Sequence, residues 1–370
     1  MPGALIVVDG RQPGCVQACH GCRHRDLDHG ASLAQKQQYL NRALARWRDR
    51  FAAIATTGTR YDYRDRVTLT VRPGSDGAWQ FGLVRRDELI PIPDCPVHTA
   101  RVRALVRILG RFLPGPEQLP LAYLHVAGAQ ATLIVKARRA SLEVGTEFSD
   151  TLRTAGIEGL WLHCHPSAGR RLFARSGWQL AWGRPESQGP GGFVHGPTAF
   201  LQALPELHRE SMAAARGHLA PGPGVAVLDL YCGLGATLAA WTAAGSAALG
   251  VELSGEAVAC AALNAPAARV LRGTCLHRLP QVREWWGSAS ATARVAYVNP
   301  PRSGLEADVA AVLFGELRPS RYAYLSCSAG TLARDLALSE ASGYRVAALL
   351  PYDFFPNTHH VEVLALAVQA

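Results

Sequence analysis

One cysteine near the end of an apolar run is the first feature of this chain that carries chemistry. Cys327 stands in Tyr324-Leu325-Ser326-Cys327-Ser328-Ala329-Gly330-Thr331-Leu332-Ala333-Arg334-Asp335, which reads as a strand followed by a helix that Ser328 or Thr331 can cap. A helix N-terminus is expected to lower a thiol's pKa and favour the nucleophilic thiolate. Upstream, Tyr297-Val298-Asn299-Pro300-Pro301-Arg302-Ser303-Gly304 also follows a strand, and its consecutive prolines should fix a rigid loop holding Asn299 and Arg302. Downstream, Asp353-Phe354-Phe355-Pro356-Asn357-Thr358-His359-His360-Val361-Glu362 ends in a carboxylate at the start of the last strand. Each segment has a plainer reading. Buried cysteines are commonly inert, a Pro-Pro turn is usually a turn, and Glu362 would serve as half of a surface ion pair. Adjacent His359 and His360 point to opposite sides of a strand, so no metal is expected there.

A second constellation suits a cofactor. Leu228-Asp229-Leu230-Tyr231-Cys232-Gly233-Leu234-Gly235 is a strand running into a tight turn, where Gly233 and Gly235 let the backbone approach a ligand. It is not the G-x-G-x-x-G fingerprint, and alone it is weak. The next strand, Leu249-Gly250-Val251-Glu252, ends in an acid about 20 residues on, where ribose hydroxyls find an acceptor. A nucleoside-bearing cofactor is favoured over a structural turn. Lack of a P-loop lysine argues against ATP, and NAD stays open on these residues.

Three cysteines, Cys15, Cys19 and Cys22, crowd the N-terminal region, with Cys95 in Asp94-Cys95-Pro96 available as a fourth ligand. Four thiolates suit an iron–sulfur cluster or a tetrahedral zinc, and the spacing leaves both open. Cys164, Cys232, Cys260 and Cys275 read as core thiols.

The elements that must position these groups fall into two textures. Residues 33–54 carry a helical period (Leu33, Leu40, Leu44, Trp47, Phe51, Ile54). Val67–Val71, Phe81–Val84, Leu121–Val126, Thr132–Val135, Leu160–Cys164 and Trp178–Trp182 read as strands of a mixed sheet, with a helix at Ala100–Phe112. Ser187–Gly192 reads as a linker. After about residue 196, strands at Val225–Leu230, Ala247–Glu252, around Val270, at Val295–Val298, Tyr322–Ser326 and Val361–Val368 alternate with helices. That alternation argues for a doubly wound α/β sheet with its ligands at the carboxyl ends of the strands.

Length and charge agree. At 370 residues two or three domains are expected, and 48% hydrophobic against 18% charged residues reads as globular rather than disordered. No apolar run approaches a membrane span. The apolar stretch Ala4 to Val8 is ended by Asp9 and does not read as a signal peptide, so a cytoplasmic location without disulfides is expected. Of the net +9, residues 1–195 hold all the excess: 26 Lys and Arg against 16 Asp and Glu, with 12 against 13 beyond. A basic half beside a neutral one fits a module gripping a phosphate backbone, though a solvated Arg-rich surface reads the same way.

Taken in order, DLYCGLG, GVE, NPPRSGL, YLSCSAGTLARDL and FFPNTHHVE resemble the RNA uracil-C5 methyltransferases, closely over 200–370 and more loosely toward the N-terminus. The resemblance implies an N-terminal iron–sulfur region (1–100) running into a central α+β RNA-binding domain (101–195), then a Rossmann-like class I methyltransferase domain (196–370). It implies S-adenosylmethionine as cofactor, Cys327 as nucleophile on carbon 6 of uracil, Glu362 as base, and Asn299 and Arg302 on the uracil. Gln202, in Phe200-Leu201-Gln202, would meet the cofactor with Asp229, Tyr231, Gly233, Gly235, Glu252 and Asn299. Cys15, Cys19, Cys22 and Cys95 would hold a 4Fe-4S cluster, zinc being the alternative. Many relatives carry Asp where this chain has Asn299; Asn resembles the branch acting on 23S ribosomal RNA, so ribosomal RNA is expected over transfer RNA. Relatives place an acid for adenine after the third strand, where this chain reads Leu271-Arg272-Gly273-Thr274-Cys275. A monomer acting on a flipped base is expected. Two rivals stand beside it: a purine N-methyltransferase, suggested by Asn-Pro-Pro at 299, and a non-catalytic RNA-binding protein of the same fold.

Overall fold

The structure, a computed structural model, describes residues 12–370; the apolar stretch at residues 4–8 lies outside them. The chain divides into two units, neither continuous in sequence. One joins residues 12–26 to Thr59–Ala203, and the other joins Leu27–Gly58 to Leu204–Ala370. This differs from the three consecutive segments expected, because residues 27–58 fold with the C-terminal part.

The first regular element, α1 (His29–Ala43), starts at Asp28, whose carboxylate accepts from Ala31 N at 2.7 Å. One helix through residue 54 was expected. Instead the chain bends at Leu44, makes a 3-10 turn over Ala45–Arg50 and runs extended from Phe51. The apolar period persists because Leu40, Leu44 and Trp47 all enter the core of the C-terminal unit. The helix stops because residues 51–55 pair with a strand edge.

The cysteine-bearing unit holds β1 (Arg66–Pro73), β2 (Trp79–Arg85), β3 (Glu88–Pro91), α2 (Ala100–Phe112), β4 (Leu121–Ala127), β5 (Gln130–Val135), α3 (Thr146–Thr154), β6 (Gly159–Cys164) and β7 (Trp178–Gly183). They form one sheet in the order β3-β2-β1-β4-β5-β6-β7. Only β5 and β6 are parallel, and α3 is their crossover. Inward Val67, Leu69 and Val71 alternate along β1 and share a core with Val102, Leu105, Val106 and Leu109 of α2. The expected linker contributes a small hairpin, β8 (Ser187–Gln188) with β9 (Val194–His195).

In the C-terminal unit, strand and helix alternate as expected. They run α4 (Pro205–Leu219), β10 (Val225–Leu230), α5 (Ala236–Ala243), β11 (Ala247–Glu252), α6 (Gly255–Asn264), β12 (Arg269–Arg272), α7 (Cys275–Ser288), β13 (Ala293–Val298), α8 (Ala307–Ala311), β14 (Arg321–Ser326), α9 (Ala329–Ala341), β15 (Tyr344–Tyr352) and β16 (Glu362–Gln369). The sheet order is β12-β11-β10-β13-β14-β16-β15. Six of the seven strands run in one direction, and β16 runs antiparallel between β14 and β15. Strand order reverses between β10 and β13, the switch point where α/β sheets bind ligands. Leu230 pairs with Val298 there, so the turn after β10 and the loop after β13 start side by side. The outer edge of β15 is covered: Ala52 N donates to Leu349 O and Ala55 N to Pro351 O, each at 2.9 Å. Among the described residues no helix is long and apolar enough to cross a membrane.

Candidate active site

Register brings the first two chemical groups together. β14 and β16 pair antiparallel with Ser326 opposite Val363, so Cys327, one residue past β14, meets Glu362, the first residue of β16. Glu362 is no surface ion-pair partner, being only 5% exposed. Burial pushes its carboxyl up to about 7, against the pull of the Arg302 guanidinium. Cys327 is half-buried, and its thiol is also pushed up, first by burial and then by the Glu362 charge. Arg302, through its charge and a hydrogen bond, and the cysteine's own backbone N–H oppose this. The lowered thiol pKa expected from the helix end is therefore corrected: burial and a neighbouring carboxylate outweigh a partial charge. The cap is corrected too. Ser328 is the N-cap residue of α9, but its side chain makes no cap bond. Instead Ser326 Oγ accepts from Ser328 N at 3.2 Å, and Thr331 Oγ1 donates to Ser328 O and Arg302 O, both at 3.2 Å.

Those contacts begin a set that fixes the Asn-Pro-Pro-Arg loop against α9. Arg334 donates to Ser303 O at 3.1 Å and Leu305 O at 2.9 Å. Buried Asp335 accepts from Leu305 N at 2.9 Å, from the Tyr324 hydroxyl at 2.7 Å and from Arg334. Gly304 has φ +75°, and a Cβ there would meet Arg334 and Asp335 side-chain atoms at 2.6 and 2.7 Å. Rigidity thus comes from side-chain clamps as much as from the prolines. Asn299 N donates to Leu230 O at 3.2 Å, tying the loop's first residue to β10. Arg334 and Asp335 stand in the segment that carries Cys327, but their clamping role was not read from sequence. The available signal was a carboxylate on the apolar stripe of α9, with Leu332 and Leu336.

The glycine turn lies at the end of β10. A Cβ on Gly233 would meet nothing within 4 Å, whereas one on Gly235 would meet Ala261 Cβ at 2.9 Å, so the first glycine faces open space and the second packs on α6. Glu252 accepts from Gly233 N at 3.1 Å and from Ser254 N at 2.7 Å, shaping the turn from the neighbouring strand. Asp229 is fully buried; Trp241 Nε1 donates to its Oδ2 at 2.8 Å, and burial pushes its carboxyl up to about 7. Tyr231 takes a left-handed φ of +62°, and its hydroxyl donates to Glu306, linking the glycine turn to the residues before α8. Where an adenine-binding acid was sought, Thr274 instead caps α7, accepting from His277 N at 3.2 Å. Leu253, also missed, follows Glu252 with 64% exposure. Gln202 belongs to the cysteine-bearing unit. His359 and His360 precede β16 rather than lying on it, with ring centroids 4.1 Å apart, which corrects the divergent pair expected on a strand.

In the cysteine-bearing unit, Arg25 binds the cysteine loop together, donating to Val16 O, Cys19 O and Gln17 O at 3.2, 2.8 and 2.9 Å. Gly14 (φ +83°) lies so close to the Asp94 carbonyl that a Cβ would reach it at 2.1 Å, bringing the loop onto the Asp94-Cys95 backbone. Burial pushes the Cys22 thiol up to about 11, reinforced by the fields of Cys95, Cys19 and Cys15. Among the described residues, no group of three or more His, Cys, Asp or Glu has the geometry to hold a metal ion.

The sequence model of a family described as tRNA (Uracil-5-)-methyltransferase matches residues 289–369, which include Cys327 and Glu362. The 23S rRNA (uracil(1939)-C(5))-methyltransferase RlmD of Azoarcus sp. (strain BH72) is 31% identical over 364 residues, covering 94% of this chain and 83% of that protein. Its namesake from Aromatoleum aromaticum is 30% identical over 366 residues, with the same two coverages. Among solved structures, Pyrococcus abyssi tRNA (uracil-54, C5)-methyltransferase in complex with S-adenosyl-L-homocysteine superposes with a TM-score of 0.71 at 19% identity, covering 94% of this chain and 86% of that one. That likeness is one of fold.

Proposed function

This chain belongs to the RNA uracil-C5 methyltransferase family, and from that premise we propose that it methylates a uridine of 23S ribosomal RNA, with Cys327 as nucleophile and Glu362 as base. It is an S-adenosylmethionine-dependent enzyme with RNA as substrate. The observation that carries the residue assignment is the β14–β16 register, which joins a thiol to a buried carboxylate with Arg302 acting on both.

Carbon 5 of uracil is a poor nucleophile. Cys327 Sγ forms a bond to carbon 6, and the electron pair moves to an enolate that enriches carbon 5. S-adenosylmethionine supplies the methyl on a sulfonium, which leaves as S-adenosylhomocysteine. Glu362 removes the proton from carbon 5, the ring double bond re-forms, and the Cys327 thiolate is expelled. Arg302 is the counter-charge for the thiolate. The Asn299 carboxamide both donates and accepts, as the O4 and N3–H edge of uracil requires. Uracil must leave its stack to reach the thiol.

The turn fits the cofactor. Open space above Gly233 admits its backbone-facing part, Glu252 offers carboxylate oxygens to the ribose, and exposed Leu253 offers an apolar face to adenine. Asp229 acts from below, bracing α5 through Trp241.

The ribosomal substrate is favoured by the relatives' names and by Asn299. Mapping 5-methyluridine in ribosomal and transfer RNA from a deletion strain tests it: loss from 23S RNA is expected, and loss from transfer RNA alone overturns it. The nucleophile is tested on a 5-fluorouracil transcript, where a stable adduct through residue 327 is expected. Methylation of uracil by Cys327→Ala would refute the assignment.

Cys15, Cys19, Cys22 and Cys95 are proposed to hold a 4Fe-4S cluster. The Cys22 and Cys95 thiols, pushed up first by burial and then by the fields of the neighbouring cysteines, with the cysteine loop stapled to the Asp94-Cys95 backbone, suit a cationic inorganic core that removes their protons. Methyl transfer moves no electron through the cluster, so its role is to cross-link the cysteine loop. Iron and sulfide in the anaerobically purified protein support it; zinc without iron overturns it.

A further inference from the structure

The chemistry above makes no use of Lys36, yet this side chain is among the largest fully buried ones, 1% exposed, and its partner lies 317 residues away. Lys36 Nζ pairs with the Asp353 carboxylate, itself 0% exposed. We propose that Lys36 is a positioning residue for the base: its ion pair with Asp353 holds the segment 353–361 in the one conformation that delivers Glu362 to Cys327. The inference rests on the assignment of Glu362 as base.

Three observations carry it. First, the ammonium is wired into the segment beyond its partner. Lys36 Nζ also donates to Phe355 O at 3.2 Å, and that carbonyl accepts from Thr358 N at 3.2 Å and Thr358 Oγ1 at 2.7 Å. Thr358 Oγ1 in turn accepts from His360 N at 3.1 Å, so a bonded chain runs from Lys36 to two residues before Glu362. Second, the segment turns sharply where packing can hold it: buried Asn357 sits at φ +64°, in the left-handed region that Asn tolerates better than most side chains but still at some cost. Third, the grip on Asp353 is multiple. Its N–H donates to Ala55 O at 2.9 Å, and His29 Nε2, bonded to Thr56 at 3.2 Å, stands 3.6 Å from Asp353 Oδ2. A buried ion pair adds little net stability, because desolvation offsets the attraction, and a well-packed apolar pair would serve equally. Contact with the loop's central carbonyl is something an apolar pair could not supply.

The test compares wild type, Lys36→Gln, and Lys36→Gln/Asp353→Asn, an uncharged pair that can keep a hydrogen bond. Each is assayed on uracil and 5-fluorouracil transcripts. The fluorinated base needs Cys327 and methyl transfer but offers Glu362 no proton, so it isolates the steps before the base acts. Lys36→Gln is expected to form the fluorouracil adduct at close to the wild-type rate. On uracil its kcat should fall by roughly 10- to 100-fold with KM unchanged, the scale of a small misplacement of a reacting group. The methylated covalent adduct should accumulate, and the double variant should recover most of kcat. Equal losses on both transcripts, or no loss on uracil, overturn the inference. Should Lys36→Gln fail to fold, Lys36→Arg, which keeps the charge but moves it, takes its place with the same two readings. Wild-type enzyme that methylates uracil yet forms no fluorouracil adduct would instead refute the covalent reading itself.

Discussion

Burial acts on Cys327 and Glu362 in the same direction, with different consequences. A carboxyl raised to about 7 is protonated, and useless as a base, in mild acid. Its deprotonated fraction grows as pH rises, so kcat should rise with pH and bend near pH 7, with a shallower rise continuing above it as the Cys327 thiol, also pushed up, releases its proton. Stopped assays across pH 5.5–9 check this, and Glu362→Gln should lose the inflection and roughly 10²–10⁴ of kcat while accumulating the methylated adduct. Asp229 gives a second pH signature, in stability. Its folded pKa lies above the ordinary value, so between about 4 and 7 the folded state holds a proton that the unfolded state has released. Stability should therefore decline as pH rises through that window. Asp229→Asn, which keeps an acceptor for Trp241, should flatten the decline in thermal melts. Cys327, Glu362, Asn299 and Arg302 were singled out in sequence because their segments are short and distinctive, and the fold sets Cys327 beside Glu362 with Arg302 acting on both. The direction of the thiol shift was not legible there, since it depends first on burial and then on a carboxylate 35 positions away that only the sheet register brings near.

Elements were legible where an apolar period coincided with a single environment. β10, β11, β13 and β14, buried along most of their length, read plainly as strands. β15 did not: Tyr344–Tyr352 includes Pro351, which suits an edge, and no alternation marks it. α1 was over-extended because a period of burial says nothing about which backbone bonds are made, and residues 51–55 found theirs on β15. Two substitutions probe this level. Gly304→Ala, forced into a left-handed conformation against Arg334 and Asp335, should destabilise the protein by about 1–3 kcal/mol in denaturant melts. Asp28→Ala removes the cap of α1 and should cost about 1 kcal/mol.

At the scale of the whole molecule, the asymmetry of charge survives the redrawn boundaries in its main consequence. RNA binding should depend steeply on salt, with affinity falling by about 10³-fold or more between 50 and 200 mM if six or more phosphates are neutralised. S-adenosylmethionine affinity, measured by calorimetry in parallel, should change far less. What sequence could not reveal is that residues 27–58 fold with the C-terminal part, because nothing local marks a segment whose partners lie 300 residues on. That interleaving governs how the polypeptide matures as it leaves the ribosome. α1 and residues 51–55 emerge well before β16, which must slot between β14 and β15. Until β16 is made Lys36 has no buried carboxylate to meet and the β15 edge has no finished sheet behind it, so the early segment must wait, exposed, for it. A gene cut at residue 196 would never end that wait.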